Sequence, residues 1–400
     1  MILGMQPFAA HWTLDPDVVF LNHGSFGACP KPVLAVQAEI RARLEREPVD
    51  FMARAWESLM DEARAVLGRF VGADPDALAL VANATMGVNT VLRSLHFAPG
   101  DEILVVDQGY NACSNAARYV AERSGASVVT AHAPFPLADP AEVTRAILDR
   151  VSGRTRLALV DHVTSATGLV LPIEAIVRGL EARGVDTLVD GAHAPGMVPL
   201  ALDALRAAYY TGNCHKWMCT PKGSAFLYVR PDRQDRIHPL VISHGRNAPR
   251  KDRSRFRLEF DFTGTQDPSA WLAIPEAIRF MGSLLPGGWD ELRSRNHALA
   301  LRGRSLVCEA LEIGAPAPES MIGSLATVPL PPAPGAADAP PLSTDPILTA
   351  LWERHRIEVL ASVWPASPGR ILRVSAQIYN DESQYAVLAD ALVELLAAGA

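Results

Sequence analysis

The chain has 400 residues, of which 37 are basic and 44 acidic, so its formal net charge is −7. Its 49% hydrophobic and 20% charged residues are typical of a globular protein, long enough for roughly two or three domains. Binding to nucleic acids or anionic membranes depends on clustered positive charge, and an acidic chain is poorly suited to it. We therefore expect neither partner.

The longest segment without a charged residue, 320–337, contains several prolines, so no membrane-spanning helix is predicted. The start, Met1–Met5, lacks the basic and apolar regions of a secretory signal. The five cysteines, an odd number without a Cys-x-x-Cys pair, suit reduced thiols better than disulfides or a zinc site. We expect a cytoplasmic protein without a bound metal.

Between about residues 76 and 230, short apolar runs alternate with segments of helical periodicity. Strands are predicted at 103–106, 127–130, 156–160, 187–189, 208–210 and 225–229. Helices are predicted between them, at 86–95, 112–122, 141–151 and 173–183. This alternation predicts an α/β fold with a mostly parallel sheet, in which ligands bind beyond the carboxyl ends of the strands.

After Pro231 the pattern changes to a basic, irregular stretch at 246–257 and a turn at 263–267. Helices are predicted at 269–281, 290–311, 351–356 and 382–396, a strand at 371–375, and a proline-rich loop at 329–346. We expect a large domain over residues 20–258 and a smaller α+β domain formed by 1–19 and 259–400. The basic stretch and the region around 46–56 are interpreted as solvated or dimer-contact surface rather than as substrate contacts.

Sequence motifs for dinucleotides, P-loop nucleotides, zinc proteases and esterases are all missing from the chain: GxGxxG, GxxxxGK[ST], HExxH and GxSxG do not occur. The chemistry must therefore come from the residues that follow the predicted strands.

Two predicted strand ends carry residues suited to pyridoxal phosphate (PLP). Asp190-Gly-Ala-His193 follows one strand, and Asn213-Cys-His-Lys216 follows the next. A lysine amine can form a Schiff base with the aldehyde, while a buried carboxylate keeps the pyridine nitrogen protonated. Asn83-Ala-Thr-Met86 opens a predicted helix, whose amino-terminal amides suit the phosphate. Taken singly, each residue also has an ordinary structural explanation.

The joint order of these segments resembles the aminotransferase class V family, which are fold-type I PLP enzymes. Within that family the chain is most similar to isopenicillin N epimerase-like proteins, over about residues 15–396. The shared segments are Leu21-Asn-His-Gly-Ser-Phe-Gly27, Arg46-Glu-Pro-Val-Asp-Phe51, Asn83-Ala-Thr-Met-Gly-Val-Asn89, His162-Val-Thr-Ser-Ala-Thr-Gly168, Asp190-Gly-Ala-His-Ala-Pro-Gly196, His215-Lys216-Trp217 and Leu372-Arg-Val-Ser375.

The resemblance implies a role for each matching residue. Catalytic roles fall to Lys216, the Schiff-base lysine and proton shuttle, Asp190, the pyridinium partner, and Tyr110, stacked on the ring. His193 would contact the ring hydroxyl, and Arg373 would bind the substrate carboxylate between Asn22 and Ser165. The resemblance also implies a homodimer in which Thr265 reaches the partner's cofactor. The implied phosphate ligands are Ala84, Thr85, Met86, Asn213, His215 and Thr265, with Asn213 where many relatives have serine.

The leading functional hypothesis is epimerisation at the α-carbon of an amino acid held as an external aldimine. Lys216 would serve one face, with Tyr110 or a water on the other. A class V aminotransferase and a PLP-dependent C–S lyase are the alternatives, and a catalytically silent PLP-fold binding protein is the alternative without turnover. Persulfide transfer is disfavoured because 356–369 contains no cysteine, unlike the matching region of cysteine desulfurases, and Cys214 is interpreted as structural.

Overall fold

The computed structural model describes residues 8–332, 345–364 and 369–399. Within them lie the strands β1 (Val19–Phe20), β2 (Leu78–Val81), β3 (Glu102–Val106), β4 (Ser127–Ala131), β5 (Thr155–Asp161), β6 (Asp186–Asp190), β7 (Tyr209–Asn213), β8 (Ala225–Val229), β9 (Leu325–Leu330), β10 (Ile357–Glu358), β11 (Leu360–Val363) and β12 (Arg370–Ser375). All six strands predicted before Pro231 are confirmed as β3 to β8, whereas β2 is an additional strand.

The same residues form helices α1 (His23–Phe26), α2 (Lys31–Arg46), α3 (Pro48–Asp50), α4 (Trp56–Val71), α5 (Ala84–Ser94), α6 (Asn111–Ser124), α7 (Pro140–Leu148), α8 (Ile173–Glu181), α9 (Leu202–Leu205), α10 (Arg255–Asp261), α11 (Ser269–Leu272), α12 (Ile274–Gly282), α13 (Gly288–Ala310), α14 (Pro346–His355) and α15 (Glu382–Ala397). A π-helical turn at Phe51–Ala55 connects α3 to α4. Short 3-10 turns lie at Ala9–His11, Pro75–Ala77, Pro231–Arg236, His244–Asn247 and Glu319–Met321.

The central sheet has seven strands in the order β2-β8-β7-β6-β5-β3-β4. In this sheet β8 is antiparallel to β2 and β7, and the other neighbouring strands are parallel, so the mostly parallel sheet predicted from the sequence is confirmed. Side chains of β3 alternate between two cores, with Leu104 and Val106 on one face and Ile103 and Val105 on the other. Helices cover both faces, as the burial of every β3 residue requires.

A second sheet of three antiparallel strands, β11-β12-β9, lies in the carboxyl-terminal part of the chain. The predicted strand at 371–375 is confirmed within β12, while β9 and β11 are strands that the sequence analysis missed. The pair β1 and β10 joins the amino-terminal segment to this region, since Val19 pairs with Ile357. The division into two domains stays a prediction.

The predicted proline-rich loop at 329–346 is wrong at both ends. Pro329 lies in β9, which is an edge strand of its sheet. Proline is tolerated there because, in the described residues, no strand on the open side needs its missing N–H group. Pro346 begins α14, a position that suits a residue without an N–H group. Residues 333–344 of the predicted loop lie outside the described residues.

The single helix predicted at 269–281 is two helices, α11 and α12, which meet at Ala273. Pro275 lies in the first turn of α12, where its missing N–H costs no helical hydrogen bond. In the described residues, none of the helices combines the length and the hydropathy that crossing a membrane requires.

Candidate active site

A cavity of about 160 Å³ opens at the carboxyl edge of the central sheet. It is placed there because the parallel strands end at the same edge and their following turns converge. The cavity is lined by Ser25, Phe26, Asn83, Ala84, Thr85, Tyr110, Asp161, Val163, Ser165, Asp190, Ala192, His193, Asn213, His215 and Lys216. Of the residues predicted from the sequence, Met86, Thr265, Asn22 and Arg373 are not part of this lining.

Lys216 and Asp190, the two residues on which the sequence interpretation depends, face the same cavity. The Nζ atom of Lys216 lies 3.0 Å from Nε2 of His193. Burial, reinforced by the charge of Arg373, lowers the pKa of Lys216 to about 7, although Asp190 and Asp161 oppose this shift. A large fraction of Lys216 is therefore an uncharged amine near neutral pH, as a nucleophile requires.

The loop that carries Lys216 is held by close backbone packing. Gly27 and Gly196 both have positive φ angles, 72° and 88°. A side chain at Gly27 would meet the carbonyl of His215, and one at Gly196 would meet the backbone of Trp217. Glycine is needed at both positions because the left-handed conformation and the lack of space each exclude a Cβ atom.

His23 adds a hydrogen bond to this loop that the sequence analysis missed. Its Nε2 atom lies 3.0 Å from the carbonyl oxygen of Lys216, and its Nδ1 atom lies 2.8 Å from the hydroxyl of Tyr379. Because a carbonyl only accepts, Nε2 donates and Nδ1 accepts from Tyr379. The segment Leu21-Asn-His23 pointed to the family, but nothing in it indicated this contact.

Asp190 ends β6 and is almost fully buried. The backbone amide of Ala192 donates to its Oδ1 at 3.0 Å, and the thiol of Cys113 donates to its Oδ2 at 3.1 Å. Burial raises the pKa of Asp190, while these two donors and Lys216 act in the opposite direction. Burial and the charge of Asp190 raise the pKa of Cys113, so this thiol stays protonated and remains a donor.

Asp161 is a second buried carboxyl group in the cavity, and the sequence analysis missed it. It ends β5, directly opposite Asp190 in the register of the two strands. Burial, and next the charge of Asp190, raise the pKa of Asp161 well above its ordinary value. Two like charges in one buried site do not both ionise, so Asp161 is the neutral member of the pair. The strand-end rule applied to Asp190 would also have found it.

At the amino terminus of α5, fewer backbone amides are free to bind a phosphate than the sequence predicted. The amide of Met86 donates to the side chain of Asn83, and that of Ala84 donates to Oδ1 of Asn213, both at 2.8 Å. These two amides are therefore already bonded within the chain. Thr85 is left without such a side-chain acceptor among the described residues, and the amide nitrogen of Asn213 stays available as a donor.

His215, the other predicted phosphate ligand in the cavity, bonds through Nδ1 to the carbonyl oxygen of Ser224 at 3.1 Å. The carbonyl makes Nδ1 the donor, and Nε2 is the second ring nitrogen. Burial lowers the pKa of His215 to about 4. A bound phosphate dianion supplies the opposite charge that favours a protonated imidazole, which could donate from Nε2.

Arg373 lies in β12 beside the cavity and is buried. Its guanidinium donates to the carbonyl of Ser165, to Oδ1 of Asn22 at 3.3 Å and to the hydroxyl of Ser25 at 3.1 Å. Asn22 and Ser165 thus flank it as the sequence analysis expected. Its Nε atom has no hydrogen-bond partner in the described part of the chain. A buried guanidinium without a carboxylate partner is suited to binding an anion.

Thr265 and the basic stretch lie away from the cavity lining. Thr265 is exposed in the turn between α10 and α11. Within the basic stretch, Arg253 pairs with Asp61 at 2.6 Å and Arg246 pairs with Glu259 at 3.2 Å. These ion pairs agree with the interpretation of the stretch as structural surface rather than as part of the cavity.

Comparison with protein families identifies the chain, since the model named "Aminotransferase class-V" matches residues 29–384. The chain belongs to the aminotransferase class V family. Class V proteins are PLP enzymes, so PLP is the cofactor and the chain is an enzyme rather than a silent binding protein.

Matches to curated relatives cover nearly the whole chain. The isopenicillin N epimerase of Streptomyces clavuligerus is 37% identical over 95% of both chains. That of Amycolatopsis lactamdurans is 38% identical over 96% of both. A probable chloroplastic L-cysteine desulfhydrase of Arabidopsis thaliana is 31% identical, covering 96% of this chain and 84% of its own.

Solved structures share the fold of this chain. A cystine C–S lyase in complex with cysteine persulfide superposes with a TM-score of 0.77 at 22% identity, covering 94% of this chain and 97% of its own. A cysteine desulfurase of Thermococcus onnurineus superposes over the whole of both chains, with a TM-score of 0.78 at 18% identity. The α/β fold-type I architecture expected from the resemblance is therefore confirmed.

The residues of this class V cavity fit PLP on their own chemistry. A buried carboxylate with both oxygens oriented by donors, Asp190, faces the cavity together with an amine of lowered pKa, Lys216. Donors suited to a phosphate come from Thr85 in the first turn of α5 and from Asn213 at the end of β7. The negative charge of Asp190 matches the protonated pyridine nitrogen of the cofactor. The donors of Thr85 and Asn213 match its phosphate.

Proposed function

We propose that this class V enzyme is an epimerase that acts at the α-carbon of an amino-acid substrate. The observation that carries the proposal is that the amine of Lys216 and the phenol of Tyr110, two groups able to move protons, line one cavity. Inverting an α-carbon requires removal of the proton on one face and its return on the other. The 37–38% identity to isopenicillin N epimerases supports the same choice.

When bound, PLP withdraws electrons from the substrate α-carbon and so makes its proton acidic. Lys216 removes that proton as a neutral amine, the form that the buried cavity favours, and returns it as the ammonium that removal produces. Asp190, oriented by Ala192 and Cys113, holds the positive charge of the pyridine nitrogen. Arg373 binds the substrate carboxylate and fixes which bonds of the α-carbon face Lys216.

Tyr110 is the proposed second proton carrier. It precedes α6, so its backbone is fixed by the helix while its ring remains 45% exposed at the cavity. The exposed phenol can give a proton to the α-carbon and take another from solvent. An epimerase needs such a proton donor on the face opposite Lys216. A water held by Tyr110 could serve the same face.

A PLP-dependent C–S lyase is the second candidate. The relatives named as L-cysteine desulfhydrases support it, and the same Lys216 would remove the α-proton before a sulfur group leaves. A class V aminotransferase would need Lys216 alone to move the proton. Persulfide transfer by a cysteine nucleophile is disfavoured, since all five cysteines are buried and none lines the cavity.

The test is to incubate the holoenzyme in D₂O with isopenicillin N and, separately, with L-cysteine. Chiral chromatography, mass spectrometry and sulfide release are measured. We expect inversion with uptake of one deuterium at the α-carbon of isopenicillin N. Lys216→Ala should abolish both, and Tyr110→Phe should slow inversion more than deuterium uptake.

Release of sulfide from cysteine without inversion of isopenicillin N would replace the epimerase by the lyase. Deuterium uptake without inversion, together with formation of a keto acid, would favour the aminotransferase. Retention of full inversion by Tyr110→Phe would remove Tyr110 from the mechanism and leave the water.

A further inference from the structure

His193 lies between two residues that are neighbours in sequence, Lys216 and Trp217. The indole Nε1 of Trp217 is 3.4 Å from Nδ1 of His193, and Nζ of Lys216 is 3.0 Å from Nε2. All three side chains come from turns that follow β6 and β7. Trp217 is among the largest fully buried side chains of the protein.

These contacts determine which nitrogen of the His193 imidazole carries the hydrogen. An indole nitrogen only donates, so Nδ1 of His193 must accept and must carry a lone pair. Burial lowers the pKa of His193 well below its ordinary value, and the charges of Lys216, Arg373, His215 and His23 act in the same direction. The imidazole is therefore neutral, and its one hydrogen is on Nε2.

The state of Lys216 follows from that hydrogen. Because Nε2 of His193 donates, the amine of Lys216 accepts through its lone pair, and only an uncharged amine has one. The lowering of the pKa of Lys216 to about 7 agrees with this direction of the hydrogen bond.

We propose that Trp217 is a positioning residue that fixes the Nε2–H tautomer of His193, so that the imidazole is a donor toward Lys216 and toward the ring hydroxyl of PLP. The part concerning PLP rests on the proposed function and on the contact with the ring hydroxyl that the family resemblance implies for His193. A donor favours the ionised form of the ring hydroxyl. With the other tautomer, Nε2 would be an acceptor, so it could receive a hydrogen from Lys216 but could not donate to the ring oxygen.

The test is ¹⁵N NMR of histidine-labelled apoenzyme and holoenzyme, in the wild type and in Trp217→Phe. Above the pKa of Lys216, between about pH 8 and pH 9, the wild type should show His193 as the Nε2–H tautomer. Loss of the indole donor should move the tautomer ratio toward Nδ1–H by about three- to tenfold, as one ordinary hydrogen bond would. The visible absorbance change that reports ionisation of the cofactor should move to higher pH.

Trp56→Phe is the matched control, because Trp56 is another buried indole, which donates at 2.9 Å to the carbonyl of Asp261 outside the cavity lining. It should leave the His193 signals unchanged. His193→Ala identifies those signals.

An Nδ1–H tautomer in the wild type would overturn the inference even if Trp217→Phe failed to fold. An unchanged tautomer in a folded Trp217→Phe would overturn it as well. The NMR measurement needs no turnover, so an inactive enzyme with the Nε2–H tautomer would reject the proposed function and leave this inference standing.

Discussion

Lys216 and Asp190 have opposite charges in their ordinary states, and the cavity shifts both toward neutrality because burial is the largest cause for each. Their neighbours then have opposite effects on the two protonation states. Asp190 receives two hydrogen bonds that favour its ionised form, whereas Lys216 lies beside Arg373, which favours its neutral form. The site can therefore hold an anion at Asp190 and a nucleophile at Lys216 at the same pH.

This lowered pKa predicts how the apoenzyme takes up PLP. The neutral amine is the reactive form, so the rate of attachment at Lys216 should rise by about tenfold per pH unit below pH 7 and level off above it. Stopped-flow absorbance, with peptide mapping after borohydride reduction, measures this rate. Arg373→Gln removes a positive charge and should move the midpoint to higher pH. A wild-type midpoint near that of an exposed lysine would contradict the expectation.

At the scale of elements, α14 is joined to β12 by a buried ion pair. Asp345 caps α14 by accepting from the amide of Ile347, and it also binds Arg370 at 2.7 and 2.8 Å. Both side chains are almost fully buried. Removal of one partner leaves the other charge buried without it, so this pair contributes to holding α14 against the second sheet.

Asp345→Ala should lower the free energy of unfolding by about 3–5 kcal/mol, the usual loss when a buried ion pair is broken. Chemical denaturation of the holoenzyme gives the value. Asp50→Ala is the control, because its pair with Arg54 is exposed and such pairs contribute at most about 1 kcal/mol. Equal losses for the two variants would show that burial of the pair at Asp345 is not what stabilises this region.

At the scale of the whole molecule, the site joins distant parts of the chain. The edge of the central sheet contributes Asp190 and Lys216, β12 contributes Arg373, and the amino-terminal segment contributes Asn22 and Ser25. Thr265 is exposed and does not line the cavity of its own chain. A dimer in which Thr265 completes the partner's phosphate site remains a prediction.

Subunit mixing tests that dimer. Lys216→Ala and Thr265→Ala chains, each weak or inactive alone, should regain activity when they are unfolded and refolded together. In the mixed dimer one site has both Lys216 and the partner subunit's Thr265. Lys216→Ala mixed with Asp190→Asn should regain activity only if a site combines these two residues from different chains. Recovery in that control but not in the first mixture would contradict the arrangement.

The sequence predicted the strands of the central sheet well because most of their apolar residues are buried, although those of β4 are partly exposed. It also predicted the residues after β6 and β7, since parallel strands end at one edge. It was less successful where pairing with a neighbouring strand stabilises a segment of low strand propensity. Pro329 is an example, because it lies in the edge strand β9, which pairs with β12. It missed Asp161, although this aspartate also follows a predicted strand, and the register then showed that it lies opposite Asp190.

The order of residues along the chain was sufficient for the α/β class, the family and the cofactor, because these depend on local periodicity and on short motifs. The tertiary structure decided which of those residues can act. It placed Asn83 and Asn213 on two predicted phosphate donors, Cys113 on Asp190, and Trp217 on His193. Hydrogen bonds and burial between residues far apart in sequence set protonation and tautomer, and a linear pattern contains no information about such distances.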